Sequence, residues 1–294
     1  MRFDSYHPAI NFIYFTAAIG FCIWFDHPVF AAISWICAFV YSVGLNGKKA
    51  LAFDLCLIPL ILVFTWWYSY YNHFGMTVIG ENFTGNHITL ESVLCGLDIS
   101  VRAAAAVMFF SCVLAVVSSD KIVYLFGRIS PRLSLFLSIL LRTAPRLRQY
   151  ARRVSLAQAG IGRGPSQGSM PARLINSLRI VSILVTWLTE NFIESAMSMK
   201  CRGYSLKGRT AFSIYRFDNR DRCFVVTVFL LMTVIMAGRA LDQTEVYFDP
   251  SIIMTPVTIL SPVFYAAYGI FLLLPFILQK AGEIKFNRQR AALR

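Results

Sequence analysis

The run ALAFDLCLIPLILVFTWWYSYY, residues 50–71, decides the class of fold. It is apolar over a length that crosses a bilayer as a single helix, which takes about 20 residues. It ends in a cluster of tryptophans and tyrosines at 66–71, and such side chains are enriched where a membrane meets water. The run therefore predicts a transmembrane helix whose C-terminal end lies at a headgroup layer.

The composition of the whole chain agrees with this prediction. Of its 294 residues, 57% are hydrophobic and 15% are charged, and the mean hydropathy is +0.60. A soluble domain carries about 25% charged residues. We therefore predict an all-α polytopic membrane protein with about six transmembrane helices. The other five apolar runs lie at about 9–25, 29–45, 91–118, 223–238 and 257–279.

Basic residues are concentrated between the fourth and fifth of these runs. Residues 119–222 hold eighteen of the 28 Lys and Arg in the chain but only five acids. Excess Lys and Arg marks cytoplasmic loops, and with six spans this region falls on the same side as Lys48, Lys49 and the basic tail. The sequence therefore predicts that both termini are cytoplasmic. We interpret the net charge of +13 as contact with the lipid bilayer and its anionic headgroups, and we predict no nucleic-acid partner.

The charge pattern divides the chain into three segments: N-terminal spans at 1–118, a cytoplasmic region at 119–222, and C-terminal spans with a basic tail at 223–294. In the middle segment the apolar stretches 133–141 and 180–187 are each too short to span a membrane alone. Arginines recur beside apolar residues at helical spacing, which predicts long amphipathic helices at or under the membrane surface.

Serine, proline and glycine residues that are typical of helix ends predict where these helices begin and end. Ser130-Pro131 reads as an N-cap followed by proline in the first turn, and Ser169 offers a similar start before Met170-Pro171. Pro145 predicts a kink, because proline removes a backbone donor inside a helix. Glycines 164 and 203 predict helix stops.

Residues with catalytic or ligand-binding chemistry do not form a recognisable motif. The four histidines and seven cysteines are scattered, and no phosphate-binding loop is present. We therefore predict no catalytic residue, no metal and no bound cofactor. Asp98 and Arg102 are spaced to pair on one helix inside the fourth run. They leave two alternatives open: a structural pair near the outer leaflet, or the working pair of a stand-alone membrane transporter or channel. A lipid-modifying enzyme that binds headgroups through its arginines is a third hypothesis.

Two short signatures in the basic region share a small residue, an arginine and a glycine. The first is AQAGIGRG, residues 157–164, and the second is AMSMKCRGY, residues 196–204. Arginine presents a rigid fork of donors to carboxylates or carbonyls, and glycine permits the left-handed backbone that ends a helix. Two such elements in one basic region predict docking contacts on the cytoplasmic side.

At these residues the chain resembles the transmembrane T component of energy-coupling factor (ECF) transporters, the family that includes the cobalt- and biotin-transport permeases. That family carries two Ala-Arg-Gly signatures at the ends of cytoplasmic coupling helices. The matching residues are Ala157, Gln158, Gly162, Arg163 and Gly164 in the first signature and Cys201, Arg202 and Gly203 in the second, with Tyr204 and Gly208-Arg209-Thr210 as flanking matches. The sequence departs from the family pattern where Gly162 and Cys201 replace alanine.

The resemblance implies a function in transport without catalysis by this subunit. It implies two ATP-binding-cassette (ABC) ATPase partners, which bind the ATP, and a separate membrane-embedded S component, which binds a vitamin or a metal ion. Arg163 and Arg202 would contact the two ATPases, and the coupling helices would reorient the S component. The resemblance also implies a location in a prokaryotic cell membrane.

Overall fold

The computed structural model describes residues 3–81, 87–204, 206, 215, 217–242, 244–248, 251–254 and 258–292. Within these residues the chain is almost entirely helical, which confirms the predicted all-α fold. The helices are α1 Pro8–Trp24, α2 Pro28–Asn46, α3 Lys48–Tyr71, α4 Leu90–Val116, α5 Ser119–Ile129, α6 Pro131–Gly160, α7 Met170–Cys201, α8 Asn219–Ala240 and α9 Ser261–Ala292. A 3₁₀ turn, Phe3–Ser5, precedes them.

Two short antiparallel hairpins connect helices. Strand β1 Val78–Glu81 pairs with β2 His87–Thr89 between α3 and α4. Strand β3 Val246–Tyr247 pairs with β4 Ile253–Met254 between α8 and α9. Strands of two to four residues are too short to show an apolar alternation, so the sequence pattern predicts neither hairpin.

The chain folds into two compact units. The first contains Met1–Ser118 and Tyr215–Arg294, and the second contains Ser119–Ile214. The first unit therefore joins α1–α4 with α8 and α9, although these helices are far apart in sequence. The second unit holds α5, α6 and α7.

In the described part of the chain, six helices are long and apolar enough to cross a membrane: α2, α3, α4, α7, α8 and α9. The number agrees with the sequence prediction, but one helix differs. The first apolar run forms α1, which has only 17 residues and so measures about 26 Å, somewhat less than a hydrocarbon core of about 30 Å. Helix α7 joins the set because it continues without interruption from Met170 to Cys201, well beyond the apolar stretch 180–187 that is too short to span a membrane alone.

The first unit begins two of its helices in the same way. His7 and His27 each precede a proline at the first helical position. The Nδ1 atom of His7 accepts a hydrogen bond from Ala9 N at 3.3 Å, and that of His27 accepts one from Val29 N at 3.1 Å. These histidines are therefore N-caps, a role that depends on an unprotonated ring nitrogen.

The core of the first unit is rich in buried aromatic side chains. Tyr14 on α1 is fully buried and donates its hydroxyl to the carbonyl of Leu272 on α9 at 2.9 Å. The hydroxyls of Ser34 on α2 and Tyr268 on α9 form a hydrogen bond of 2.7 Å. Hydrogen bonds of this kind satisfy hydroxyls that would be costly to bury alone, and they fix α9 against α1 and α2.

The second unit contains the two longest helices of the basic region. Helix α6 begins after Ser130 and α7 after Ser169, where the sequence predicted N-caps, although neither serine side chain makes a capping hydrogen bond. Helix α6 runs through Pro145 as one element. The rings of Tyr150 on α6 and Trp187 on α7 stack with centroids 4.2 Å apart and an interplanar angle of 14°. This stack holds the antiparallel helix pair together ten residues before the end of α6.

Candidate functional site

The first signature ends α6 in a Schellman motif. Gly162 has a φ of 76°, the left-handed conformation that ends a helix. Its N–H donates to the carbonyl of Ala159 at 3.1 Å, and the N–H of Arg163 donates to the carbonyl of Gln158 at 2.9 Å. Two carbonyls that the helix end would leave open are thereby satisfied. Gly162 is the residue on which this turn depends.

The second signature ends α7 in the same motif. Gly203 has a φ of 74°. Its N–H donates to the carbonyl of Lys200 at 3.0 Å, and the N–H of Tyr204 donates to the carbonyl of Met199 at 3.1 Å. The sequence prediction that Gly203 stops a helix is confirmed. The flanking match Gly208-Arg209-Thr210 lies outside the described residues.

The two arginines occupy different positions relative to these turns. Arg163 follows the left-handed Gly162, so it lies beyond the helix, whereas Arg202 precedes the left-handed Gly203 and caps the last helical turn. When the two signatures are aligned on their arginines, the glycines that end the helices are therefore offset by two residues. The shift arises from Gly162, which stands where the family pattern has alanine. Alanine is disfavoured in the left-handed conformation.

Gly164 was predicted to stop α6, and this prediction is wrong because the left-handed turn lies two residues earlier. Gly164 is buried and has a packing role. A Cβ added there would lie 3.0 Å from the Cβ of Ala159 and 3.1 Å from Oε1 of Gln167. The same Gln167 Oε1 accepts from the N–H of Gly164 at 2.9 Å, and Asn176 donates to the carbonyl of Gly164 at 3.3 Å. The loop after the first signature is therefore folded onto the ends of α6 and α7.

The other predicted contact residues differ in exposure. Ala157, Arg163, Cys201 and Arg202 are exposed, as docking requires. Gln158 is half-buried, and its side-chain Oε1 has no hydrogen-bond partner among the residues that the structure describes. Within the described part of the chain, no carboxylate forms an ion pair with Arg163 or Arg202. Both guanidinium groups therefore have donors available for a partner.

The structure does not bring the two signatures together. Arg163 lies near the start of α7, and Arg202 lies at its end. Helix α7 has 32 residues, which is a length of about 48 Å. The arrangement provides two separate contact points on one helix pair, and a single binding pocket that includes both arginines is excluded.

Asp98 and Arg102 form an ion pair, as their spacing predicted. The Oδ2 atom of Asp98 lies 3.0 Å from Nε of Arg102, and Arg102 also contacts the carboxylate of Asp26. Its Nη1 donates to the carbonyls of Ile23 and Phe25 at 3.3 Å each. Arg102 thus connects α4 to the loop between α1 and α2. This arrangement favours the structural alternative for the pair.

Gln167 and Asn176 are two residues of the site that the sequence analysis did not identify. Both organise the loop through hydrogen bonds to Gly164. Neither belongs to the Arg-Gly signatures, and amides three and twelve residues after Gly164 carry no recognisable pattern. Only the fold of the loop brings them to that glycine.

Comparison with known proteins gives a partial match. No protein-family model matches the chain. Over 111 residues the chain is 33% identical to the energy-coupling factor transporter transmembrane protein EcfT of Bacillus selenitireducens. The alignment covers 36% of this chain and 40% of that relative. The match supports the ECF transmembrane-component family, to which the two signatures also point.

Proposed function

From this likeness and from the two helix ends, we propose that the chain is the energy-coupling T component of an ECF-type ABC importer. The observation that carries the proposal is the pair of Schellman-ended helices, each presenting an exposed arginine at Arg163 or Arg202. The chain binds two ABC-type ATPase subunits and a membrane S component. It is not catalytic, and ATP is bound by the ATPases.

The two arginines supply the contacts to the ATPases. A guanidinium group offers a planar fork of donors that binds a carboxylate or backbone carbonyls in fixed geometry. The glycine beside each arginine has no side chain, so a partner surface can approach the helix end closely. Because Arg163 and Arg202 are about 48 Å apart along α7, each arginine contacts a different ATPase subunit.

The helix pair transmits the movement of the ATPases. Packed helices move as rigid bodies between discrete arrangements. When ATP binding and hydrolysis change the spacing of the two ATPases, α6 and α7 move with them and reorient the S component. The S component carries the vitamin or metal ion, so the selectivity for substrate belongs to that subunit.

The chain lies in the prokaryotic cell membrane, and the positive-inside rule supports an orientation with both termini and the basic region in the cytoplasm. The acidic loop residues support the same orientation. Asp26, Glu81 and Glu245 lie in connections on the side opposite to Lys48 and Lys49 when α1–α4, α8 and α9 are the spans. Helix α7 is then a cytoplasmic helix with an apolar surface.

Co-purification tests the proposed assembly. The tagged full-length chain is extracted in mild detergent from its own host, and the bound proteins are identified by mass spectrometry. We expect ABC-type ATPases and a small membrane protein, and we expect ATP-dependent substrate uptake when the complex is reconstituted in vesicles. Uptake by the purified chain without ATPases would instead favour the stand-alone transporter.

A further inference from the structure

We propose that a groove between α6 and α7 is a second contact for the ATPase bound at Arg163, and that it takes a carboxylate-bearing segment of that ATPase. The inference rests on the proposed function. It concerns residues outside both signatures, and it is carried by the shape and the charge of the groove.

The groove lies beside the first helix end and has a volume of about 630 Å³. Its walls come from the last turns of α6 and the first turns of α7. Its base includes Ile180, which is only 8% exposed. Ligand sites in proteins commonly have volumes of about 300–1,000 Å³ and mostly apolar walls with a few polar groups. The groove has the size and lining of a site for one side chain with its neighbours.

Fixed elements flank the groove. The stacked rings of Tyr150 and Trp187 join α6 and α7 beside the groove-lining residues. Pro165 lines the groove, in the loop that Asn176 fastens through its hydrogen bond to the carbonyl of Gly164. The groove is therefore preorganised, and a partner that enters it does not have to separate the helices.

Two arginines give the groove its charge. Arg148 and Arg152 line it, lie four residues apart on α6 and are both exposed. Like charges at this spacing repel each other on a helix surface. Among the described residues neither arginine has a carboxylate partner. A carboxylate placed between them relieves the repulsion and accepts hydrogen bonds from both guanidinium groups.

The position of the groove favours the ATPase as the source of this carboxylate. The groove residue Ser155 precedes the end of α6, Gly160, by five residues, which is about 7.5 Å. A protein seated on Arg163 therefore reaches the groove without a second binding event. The hydroxyl of Ser155 lies in the lining as a further donor, whereas that of Ser177 already donates to the carbonyl of Arg173 at 2.9 Å. An anionic lipid headgroup is the competing occupant, and the experiment distinguishes it.

The test compares two charge reversals in the full-length chain. The groove variant is R148E/R152E. The matched control is R142E/R146E, which changes the same charge at the same spacing on the same helix, at exposed positions that do not line the groove. The affinity of each purified chain for the co-purifying ATPases is measured in detergent. Binding to vesicles of phosphatidylcholine with and without phosphatidylglycerol is measured in parallel.

We expect the groove variant to bind the ATPases about tenfold more weakly, because reversed charges oppose the partner carboxylate, and the control to stay within twofold of wild type. A photocrosslinker at Ala151, which also lines the groove, should then capture an acidic segment of one ATPase. Unchanged ATPase affinity, or an equal loss in the control, overturns the inference. Loss of binding only to the anionic vesicles assigns the groove to lipid and also overturns it.

The outcomes separate this inference from the proposed function. If wild type binds ATPases and the groove variant binds them equally well, only the groove inference fails. If wild type binds no ATPase at all, the proposed function fails, and the groove inference fails with it.

Discussion

Gly162 determines how the first arginine is presented. Its left-handed backbone ends α6 two residues earlier, relative to the arginine, than Gly203 ends α7. The sequence contains glycines at 160, 162 and 164, and each of them could end the helix. Sequence reasoning therefore locates the signature but cannot choose the residue that turns the chain, because that choice depends on packing such as the contact of Gly164 with Ala159.

Replacing Gly162 with alanine should weaken the first helix end. Alanine in the left-handed conformation costs about 1–2 kcal/mol, so we expect faster hydrogen exchange at the amides of residues 162 and 163 and weaker ATPase binding. The matched control is Gly160→Ala, an exposed glycine of helical backbone where an added Cβ meets nothing within 4 Å, which should leave both properties unchanged. Amide hydrogen exchange at the wild-type rate in the Gly162→Ala variant would contradict the role of Gly162 in ending α6.

His27 makes the stability of the first unit depend on pH. Burial lowers the pKa of its imidazole below the ordinary value, and its Nδ1 accepts the capping hydrogen bond from Val29 N. As the pH falls through about 6.5 toward the lowered pKa, the unfolded chain takes up a proton that the folded chain excludes. The stability that the neutral ring contributes is complete above about pH 6.5 and is lost as the pH falls below it.

Thermal unfolding in detergent between pH 7.5 and 5 checks this expectation. The melting temperature of wild type should fall with pH more steeply than that of His27→Asn, because asparagine also caps helices but does not titrate. Parallel pH profiles for the two proteins would show that His27 does not titrate differently in the folded chain.

The ion pair between Arg102 and Asp26 connects α4 to the loop between α1 and α2. Replacing Arg102 with methionine leaves the buried Asp98 without its partner, and removing one member of a buried pair costs about 3–5 kcal/mol. We expect Arg102→Met to have a clearly lower melting temperature than wild type. Arg102→Lys keeps the positive charge, and we expect its melting temperature to lie between the two. Where the variant is folded, the assembled complex should still transport. A folded Arg102→Met variant without transport would revive the transporter alternative.

The local sequence pattern predicts where the helices of this chain lie better than it predicts which helices pack together. The apolar runs locate α2, α3, α4, α8 and α9, and the serines at 130 and 169 locate the starts of α6 and α7. The sequence also predicts that α7 runs from its serine start to the stop at Gly203, although arginines at 173 and 179 interrupt its apolar stretches. A helix tolerates such residues on an exposed face.

The whole molecule combines two compact units with different compositions. The unit of α1–α4, α8 and α9 has a buried aromatic core, whereas in the unit of α5–α7 the long helix α7 has one buried residue, Ile180. Exposed apolar and basic surface of this extent is typical of a chain that functions with partners. The sequence distinguishes residues 119–222 by their charge. It does not predict that α1–α4 pack with α8 and α9, because those contacts link distant parts of the chain.

The affinity of the ATPases for arginine variants of the chain tests the central proposal most directly. Wild type, R163E, R202E and R163E/R202E are compared with R146E/R179E, a control with the same charge change at exposed positions away from both helix ends. We predict that each single variant binds at least about tenfold more weakly, that the double variant no longer co-purifies with ATPases, and that the control binds like wild type. Wild-type affinity in the double variant would contradict the proposal that these two helix ends hold the ATPases.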